Sequence, residues 1–228
     1  MGTRLRPYTV VLPKPLMPIG QHPILEVIVR QLARFRFGRI VMAVNHQADI
    51  IRAFFGDGSK WNIPIEYSLE SAPLSTIAPL KLIGNLPENF LLLNGDVLTD
   101  LDFRQLLCEH VENKSRFTIA AARRTHVVDY GVLEINCDGT LSGFREKPEL
   151  RYLVSMGVYA VNRSILDEVP SGRRYGFDNL MIDLLGRGEK VHVKPFDGYW
   201  ADIGRVEDYM RAIDDFEERR LQLIPDGD

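Results

Sequence analysis

The sequence predicts an α/β fold built on a mixed, mainly parallel sheet. Its first half alternates short apolar runs with amphipathic segments, which is the strand–helix–strand rhythm of parallel sheets. Its second half contains several strands separated only by short turns. With 228 residues, 45% of them hydrophobic and 26% charged, the chain can bury a sizeable core in one globular domain, and a disordered chain is excluded.

The first half begins with a basic, proline-rich loop at residues 1–18. The helix predicted at residues 23–37 places Ile24 and Leu32 on one face, and Gly38 ends it. Strands and helices then alternate: strand 39–45, helix 47–55, strand 63–69, helix 76–83, strand 90–93 and helix 103–113. The strands at 39–45 and 90–93 are apolar throughout their centres, so we expect them to be buried.

The second half is richer in strands and ends in a long helix. The predicted elements are strands 117–123, 131–135, 140–144 and 152–161, helices 164–169 and 178–185, strand 190–195 and helix 206–223. Charge pairs four residues apart favour an exposed side on the last helix. We therefore expect one domain over residues 1–228, with a first half at 1–116, a strand-rich half at 117–205 and a C-terminal helix at 206–228.

Composition excludes several classes of protein. A net charge of −3 and a pI near 6.0 argue against a nucleic-acid binder, which needs a basic surplus. Cys108 and Cys137 are too few for a disulfide framework or a zinc cluster, which favours a cytoplasmic protein with reduced thiols. No run of 18 apolar residues occurs, and residues 1–6 match neither a signal peptide nor a myristoylation motif, so we expect no membrane partner.

The basic loop has the composition of a phosphate site. Arg4 offers a planar fork of donors, Lys14 a compact charge, and Gly2 lets backbone amides approach an anion. The four prolines of residues 1–18 keep the backbone extended. Without further motifs, the same composition is typical of a solvated tail.

Asp96 follows the apolar strand predicted at residues 90–93. In open α/β sheets ligands bind at the carboxyl ends of strands, so this aspartate is a candidate magnesium ligand. The alternative is an Asn-Gly hairpin turn at Asn94-Gly95. A hairpin needs a second strand directly afterwards, whereas residues 97–103 are predicted to lead into a helix.

Asp202 lies between the last predicted strand and the last helix, in the segment Tyr-Trp-Ala-Asp-Ile-Gly. Taken alone, it is more typical of a loop acid or a helix N-cap than of a ligand.

In order along the chain, these segments resemble the motifs of the sugar nucleotidyltransferases, which join a sugar 1-phosphate to a nucleoside triphosphate. The matches are Gly-Thr-Arg-Leu from Gly2, Lys-Pro-Leu from Lys14, Gly-Asp at Asp96, Glu-Lys-Pro from Glu146 and Asp-x-Gly from Asp202. They extend to about residue 209. Within that family, the chain resembles mannose-1-phosphate guanylyltransferases and glucose-1-phosphate thymidylyltransferases in particular.

The resemblance implies a Rossmann-like, doubly wound fold of the nucleotide-diphospho-sugar transferase type, with the strand-rich half binding the sugar. In the family the loop reads Gly-Gly-x-Gly-Thr-Arg-Leu and follows a buried first strand. This chain matches from the x position, at Met1. We therefore expect the first strand and two glycines to be missing from these 228 residues, as in a late start or a trimmed fragment.

For catalysis, the resemblance implies that Asp96 and Asp202 hold one Mg²⁺. It also implies that Arg4 stabilises the leaving pyrophosphate and that Lys14 binds the α-phosphate.

For the nucleotide, the resemblance implies contacts from Gly2, Thr3, Glu70, Ser75 and Thr76. Residues 70–80 align with Glu-x-x-Pro-Leu-Gly-Thr-Ala-Gly-x-Leu, but Ser75 and Ala78 replace its two glycines. A Cβ at these positions would crowd a base that lies against the backbone.

For the sugar phosphate, the resemblance implies contacts from Gly131, Glu146, Lys147, Ser155 and Gly157. Lys147 would bind the phosphate and Glu146 the sugar hydroxyls. Ser155 stands where the family has asparagine, so the motifs do not predict which sugar is bound.

The implied partners are a nucleoside triphosphate and a sugar 1-phosphate, in nucleotide-sugar and polysaccharide biosynthesis. The segment around Asp202 slightly favours guanylyl transfer over thymidylyl, uridylyl or cytidylyl transfer. The motifs do not predict whether the protein forms a homo-oligomer. Two alternatives also stay open: a nucleotide-sugar-dependent glycosyltransferase with Asp100-Leu101-Asp102 as its metal motif, and a non-catalytic or regulatory relative that binds nucleotide sugars.

Overall fold

The structure is a computed structural model that describes Leu5, Thr9 and residues 12–45, 48–70 and 72–224. The α-helices of this part of the chain are α1 Ile24–Arg34, α2 Ala48–Phe55, α3 Phe103–Glu112, α4 Phe177–Gly186 and α5 Val206–Leu223. Its strands are β1 Pro18–Ile19, β2 His22–Pro23, β3 Ile40–Val44, β4 Ile65–Leu69, β5 Asn89–Leu93, β6 Val97–Thr99, β7 Phe117–Val127, β8 Val132–Ile135, β9 Leu141–Arg145, β10 Glu149–Asn162, β11 His192–Phe196 and β12 Trp200–Asp202.

The predicted α/β fold with a mixed sheet is confirmed. Four strands form the largest sheet in the order β11, β7, β10, β5. Strand β11 runs parallel to β7, whereas β10 runs antiparallel to both β7 and β5. Strands β3 and β4 form a separate parallel pair, and β8 and β9 form an antiparallel hairpin.

Three clusters of buried side chains hold these elements together. The first cluster joins α1, α2, β3 and β4 to α3 and β10, the second joins β5 and β7 to α4, and the third joins α5 to the first residues of the chain. In the third cluster Leu5 and Phe216 are almost completely buried. Burying an aromatic or aliphatic side chain of this size contributes roughly 1.5–3 kcal/mol.

The short strand β6 separates the first cluster from the third. Val97 packs into the first cluster and Leu98 into the third, because successive side chains of a strand point to opposite faces. Residues 97–103 lead into α3 as expected, but the chain first forms the short strand β6. Strand β6 pairs with β12 and not with β5, so Asn94-Gly95 is not the turn of a β5–β6 hairpin.

Two predicted helices are shorter and of the 3₁₀ type. The helix expected at residues 76–83 is a 3₁₀ helix at Ala78–Leu82, where Pro79 occupies its first turn. The carbonyl oxygen of Tyr175 accepts hydrogen bonds from the amides of Ile77 (3.2 Å) and Ala78 (3.0 Å), so these amides are bound by a neighbouring segment. The helix expected at residues 164–169 is a 3₁₀ helix at Arg163–Asp167.

The burial expected for the two apolar strands is only partly observed. In β5 only Phe90 is fully buried, and the three leucines that follow are half-buried. In β3 only Met42 and Val44 are buried, and Ala43 is exposed. Cys108 and Cys137 are free and exposed. Within the described ranges, none of the helices has both the length and the apolarity to cross a bilayer.

Candidate active site

Asp96 and Asp202 are adjacent in the backbone although they are far apart in sequence. Strand β6, directly after Asp96, pairs antiparallel with β12, so Val97 lies opposite Asp202. The amide of Ile203 donates a hydrogen bond to the carbonyl oxygen of Asp96 at 3.4 Å. Cross-strand neighbours in an antiparallel pair are about 4.5–5.5 Å apart between Cα atoms. The structure therefore brings the backbones of the two predicted metal ligands together. We call the place where Asp96 and Asp202 meet the Asp96 corner.

The carboxylate of Asp96 forms an ion pair with the ammonium group of Lys14. The two side chains are 19% and 23% exposed, so water reaches the pair from one side. Lys14 begins a 3₁₀ helix at Lys14–Leu16, between Pro13 and Pro15. Proline fixes φ near the value that such a turn needs. Lys14 thus lies at the Asp96 corner.

The Lys14 loop also packs against Gly95, the residue before Asp96. A Cβ placed on Gly95 would lie 3.5 Å from Cγ of Pro15 and 3.6 Å from Cδ1 of Leu25, which is ordinary contact distance. The loop segment with Lys14 therefore packs directly on the turn that carries Asp96. Gly2, Thr3 and Arg4, which the sequence assigns to the same loop, lie outside the described residues.

A β-bulge in β10 holds Gly157 against the same turn. The register between β10 and β7 shifts between Ser155 and Tyr159, and Gly157 takes a left-handed backbone with φ of 73°. Its carbonyl oxygen accepts a 2.8 Å hydrogen bond from the amide of Asn94. A Cβ on Gly157 would lie only 2.6 Å from Nδ2 of Asn94, so both the conformation and the space require glycine.

Trp200 ties the bulge to β12. Its indole Nε1 donates a 2.9 Å hydrogen bond to the carbonyl oxygen of Met156, one residue before Gly157. Since Asp202 follows two residues later, the indole fixes the position of the bulge relative to the second aspartate. Four segments of the chain thus meet at the Asp96 corner: the Lys14 loop, the end of β5, the bulge and β12.

Ser155 makes its contacts within the bulge. Its hydroxyl lies 3.0 Å from the hydroxyl of Tyr159 and accepts a 3.4 Å hydrogen bond from the amide of Gly157. Burial raises the pKa of Tyr159, so its phenol stays protonated at neutral pH. Ser155 is exposed, and the sequence could not distinguish these contacts within the bulge from a contact with a sugar.

The predicted nucleotide segment is fixed to Tyr175. The carboxylate of Glu70 accepts a 3.1 Å hydrogen bond from the amide of Leu74, and the amide of Tyr175 donates to the carbonyl oxygen of Leu74 at 3.0 Å. Burial raises the pKa of Tyr175 to about 12, and so does the Asp183 carboxylate, which accepts a hydrogen bond from the Tyr175 hydroxyl. Thr76 is half-buried. The segment is therefore well anchored, but no described contact connects it to the Asp96 corner.

Ser75, where the family has glycine, adopts a left-handed backbone with φ of 73°. For a residue with a Cβ this conformation costs about 1–2 kcal/mol. A Cβ on the neighbouring Gly176 would lie 2.6 Å from the Ser75 hydroxyl oxygen, which shows how closely the two segments approach. Ser75 thus adopts a backbone conformation that favours glycine.

The predicted sugar-phosphate residues Gly131, Glu146 and Lys147 lie on the β8–β9 hairpin. A Cβ on Gly131 would lie 2.6 Å from the ring of Phe144 and 3.2 Å from Oε2 of Glu146, so the ring covers the glycine. Glu146 and Lys147 are exposed, and Lys147 has a positive φ of 42°. Among the described strands, β8 and β9 pair only with each other.

A polar cavity of about 450 Å³ includes Asp202 in its wall, together with Trp200, Arg124 and Arg211. Neither Lys14 nor Asp96 lines it. Oδ2 of Asp202 lies 3.5 Å from the position of a Cβ on Gly204. The two aspartates therefore share a backbone junction, while their carboxylates have different surroundings.

The sequence did not single out Arg124. Its guanidinium lies 4.7 Å from the centre of the Trp200 ring and donates a 3.3 Å hydrogen bond to the Trp200 carbonyl oxygen. It places a positive charge beside the segment that carries Asp202. The only signal in the sequence is the pair Arg123-Arg124 at the end of the strand predicted at residues 117–123.

The aspartates of the alternative metal motif, Asp100 and Asp102, make structural hydrogen bonds instead. Oδ1 of Asp100 accepts a 2.7 Å hydrogen bond from the amide of Tyr199, and Asp102 caps α3 by accepting from the amide of Gln105 at 2.8 Å. These contacts argue against a glycosyltransferase-type metal site. Asp202 is likewise not the cap of α5, where Asp208 accepts from the amide of Arg205. In the part of the chain that the structure describes, no three His, Cys, Asp or Glu side chains cluster as metal ligands.

Comparison with known proteins shows the family. The model of the nucleotidyl transferase family matches residues 1–219. A UTP–glucose-1-phosphate uridylyltransferase from Synechocystis sp. is 31% identical over 98% of this chain, and a mannose-1-phosphate guanyltransferase from Aspergillus oryzae is 32% identical over 92% of it. The chain spans 63% and 60% of the lengths of these two relatives.

A crystal structure of HddC from Yersinia pseudotuberculosis has the same fold. It superposes with a TM-score of 0.72 and 25% sequence identity, and the match covers 95% of each chain. Together with the family match, this similarity confirms the nucleotide-diphospho-sugar transferase fold that the motifs implied. The chain therefore belongs to the nucleotidyl transferase family, the family of the sugar-1-phosphate nucleotidyltransferases.

Proposed function

We propose that this protein joins a sugar 1-phosphate to a nucleoside triphosphate and releases pyrophosphate. One observation carries the proposal: the Lys14 loop, Asp96, Asp202 and Gly157, taken from four separate motifs of the family, meet at one corner of the fold. Chance similarity in sequence gives no reason for such a meeting.

In the reaction, a phosphate oxygen of the sugar 1-phosphate attacks the α-phosphorus of the triphosphate. The bond from the α-phosphorus to the bridging oxygen breaks, and the electron pair leaves with pyrophosphate. The nucleophile is already an anion, so no general base is needed. The protein must instead position two reactants that repel each other and neutralise their charge.

The chain's own cations would do part of that work. Lys14 would move from the Asp96 carboxylate to the α-phosphate, since its ammonium group is partly exposed and pairs with that carboxylate. Arg4 would stabilise the leaving pyrophosphate, and Lys147 would bind the incoming sugar phosphate. These three roles come from the family motifs.

Asp96 and Asp202 would hold Mg²⁺. Their donor set fits this ion, because Mg²⁺ is bound through one or two carboxylates and fills its remaining positions with water and substrate phosphates. When bound, the ion supplies positive charge between the two phosphate groups. The ion pair at Asp96 supplies a neutralising cation in the ligand-free protein.

The base and the sugar are proposed from the relatives. Both a uridylyltransferase and guanyltransferases are among them, and the segment around Asp202 makes us favour guanylyl transfer. The decisive experiment screens four triphosphates against a panel of sugar 1-phosphates and measures pyrophosphate release. Incubation with a nucleotide sugar and pyrophosphate is the matching reverse assay, since only a nucleotidyltransferase returns the triphosphate.

A non-catalytic nucleotide-sugar-binding protein is the second candidate. The strained backbone of Ser75 favours it, because the pocket for the base then differs from that of the family. Binding of a nucleotide sugar without turnover in either direction would establish this candidate and refute the first.

A further inference from the structure

The β8–β9 hairpin is attached to the sheet by two strand ends that, among the described strands, pair only with each other. Strand β11 pairs with β7 as far as Ala122, and β5 pairs with β10 only from Val158 onward. Residues 123–127 of β7 and 149–153 of β10 therefore form a two-stranded ribbon. Such a ribbon alone is marginally stable in water. Its position relative to the Asp96 corner therefore depends on contacts made by its side chains.

Arg124 makes a contact of this kind. Ala120 and Ala122 of β7 pack into the first cluster, so Arg124, two residues further along, points to the same face of the sheet. On that face its guanidinium lies 4.7 Å from the centre of the Trp200 ring and donates a 3.3 Å hydrogen bond to the Trp200 carbonyl oxygen. The ribbon is thus joined to β12 by one side chain that contacts both the ring and the backbone of Trp200.

The partners of Arg124 differ from those of other arginines in the ribbon and the hairpin. Those arginines pair with carboxylates, Arg123 with Asp197, Arg145 with Glu134 and Arg151 with Glu149. Arg124 instead contacts an aromatic ring and a backbone carbonyl. A guanidinium suits both partners, because it is planar, stacks on aromatic faces and offers several donors in a fixed fork. A lysine has the same charge but lacks the planar fork.

Trp200 connects this contact to Asp202. In β12, Trp200 packs on the first cluster and Ala201 on the third. Because side chains alternate along a strand, Asp202 points to the same side of β12 as Trp200. Both residues line one polar cavity together with Arg124. The indole also donates a 2.9 Å hydrogen bond to the carbonyl oxygen of Met156, so Trp200 is held between the bulge and the ribbon.

We propose that Arg124 is a positioning residue, which fixes Asp202 at the Asp96 corner by holding Trp200. The same contact sets the distance between the corner and the ribbon, whose hairpin carries Lys147. A sugar phosphate bound on the hairpin would then meet an aspartate that is positioned from the same ribbon. This role in turnover rests on the proposed function, whereas the effect of Arg124 on the corner can be measured without substrates.

The first experiment measures amide hydrogen exchange in the ligand-free protein. The amide of Ile203 donates to the carbonyl oxygen of Asp96, so its exchange rate reports how firmly the two aspartate segments are joined. We expect Arg124→Lys, which keeps the charge, to raise this rate about tenfold. The amide of Ile65, which donates a 2.9 Å hydrogen bond to the carbonyl oxygen of Asp57 in another part of the fold, should exchange at an unchanged rate.

Arg123→Lys is the matched control. It makes the same substitution one residue earlier, on the opposite face of the strand, where the Arg123 side chain is 64% exposed. We expect the exchange rate of Ile203 to stay unchanged in this variant. An unchanged rate in Arg124→Lys, or an equal rise in both variants, would overturn the proposal. A matching rise at Ile65 would mean general destabilisation and would also overturn it.

The second experiment separates turnover from substrate binding. A residue that only positions Asp202 should affect the transition state more than the bound substrate, so we expect Arg124→Lys to lower kcat about tenfold and to leave the KM for sugar 1-phosphate unchanged. Arg123→Lys should keep both values. A raised KM with an unchanged kcat would mean that Arg124 binds the sugar phosphate itself, and the positioning role would be refuted.

Failure of the proposed function gives a different result from failure of this inference. An unmodified protein that releases no pyrophosphate with any pair of substrates would refute the function, and the exchange experiment would still decide whether Arg124 holds the corner. Conversely, an active protein whose Ile203 amide does not respond to Arg124→Lys would keep the function and refute the inference.

Discussion

The Asp96 corner and the β8–β9 hairpin both carry residues of the family motifs, but they are built in opposite ways. The corner is held by backbone hydrogen bonds from β12 and the β10 bulge, and by the Trp200 indole. The hairpin is a two-stranded sheet whose apolar side chains are largely exposed, with Leu133 at 62% and Phe144 at 58%. A two-stranded hairpin alone is marginally stable in water.

The difference suggests that the two regions have different roles in the proposed reaction. Charge neutralisation needs groups held in fixed positions, because the electrostatic benefit is lost when they must reorganise. Recognition of a sugar tolerates a more adaptable surface, since loops and hairpins vary without disturbing a buried core. The predictions below test whether the rigid corner controls turnover and the exposed hairpin controls sugar binding.

Removing a carboxylate from the corner should have the largest effect. We expect Asp96→Asn and Asp202→Asn each to lower turnover by about 10³-fold, because an amide is a poor ligand for a hard cation. Pyrophosphate release measures the loss. Asp102→Asn is the matched control, since asparagine is as good an N-cap as aspartate and should leave activity unchanged. Near-normal release by either corner variant would refute the assignment.

Displacing the bulge should have the next largest effect. In Gly157→Ala the new Cβ meets the Asn94 side chain at 2.6 Å, so that side chain must shift, two residues before Asp96. A displacement of about 1 Å can cost roughly 100-fold in rate, and we expect kcat to fall by about that factor.

Gly139→Ala controls for the backbone. Gly139 also has a positive φ, of 82°, but its Cβ would meet nothing within 4 Å. Both variants should lose about 1–2 kcal/mol of unfolding free energy, while only Gly157→Ala loses activity. Equal activities would mean that the bulge does not position the corner.

Changing the hairpin should affect one substrate only. We expect Lys147→Ala to raise the KM for sugar 1-phosphate about tenfold, since a hydrogen bond to a charged group contributes roughly 1.5–3 kcal/mol. Calorimetric titration should give unchanged triphosphate binding. Arg145→Ala is the neighbouring control, because its exposed pair with Glu134 is worth at most about 1 kcal/mol. Weakened triphosphate binding in Lys147→Ala would contradict the division between the two regions.

Restoring the family glycine should have the smallest effect. Ser75→Gly removes the Cβ from a left-handed backbone, so we expect the unfolding free energy to rise by about 1 kcal/mol. For a chain of this size that corresponds to roughly 2–4 °C in Tm. Asn85→Gly, also at positive φ but with a residue that tolerates it, should gain less. A lower Tm for Ser75→Gly would mean that the serine side chain makes a compensating contact.

The sequence predicted the elements well where local pattern decides them. Helices α1, α2, α3 and α5 and most strands lie within a few residues of their expected bounds, because apolar periodicity and glycine stops are local signals. Lys14 and Asp96 were singled out from separate family motifs, and their side chains form an ion pair in the structure.

Long-range pairing could not be predicted. The three-residue strands β6 and β12 have no periodicity of their own and exist because they pair with each other. The bulge at Gly157 depends on its register with β7, and nothing near Ser75 indicates a left-handed serine. Only a three-dimensional arrangement explains these features, and they are the ones that shape the candidate site.

The junction between the hairpin and the sheet is narrow. Strands β7 and β10 pair as far as Val127 and Glu149, and the amide of Val128 donates a 3.1 Å hydrogen bond to the carbonyl oxygen of Pro148. Everything from residue 129 to residue 147 thus enters and leaves through a single rung. If the hairpin binds the sugar as proposed, a chimera that takes residues 129–147 from a relative should change sugar preference while the Asp96 corner keeps its contacts.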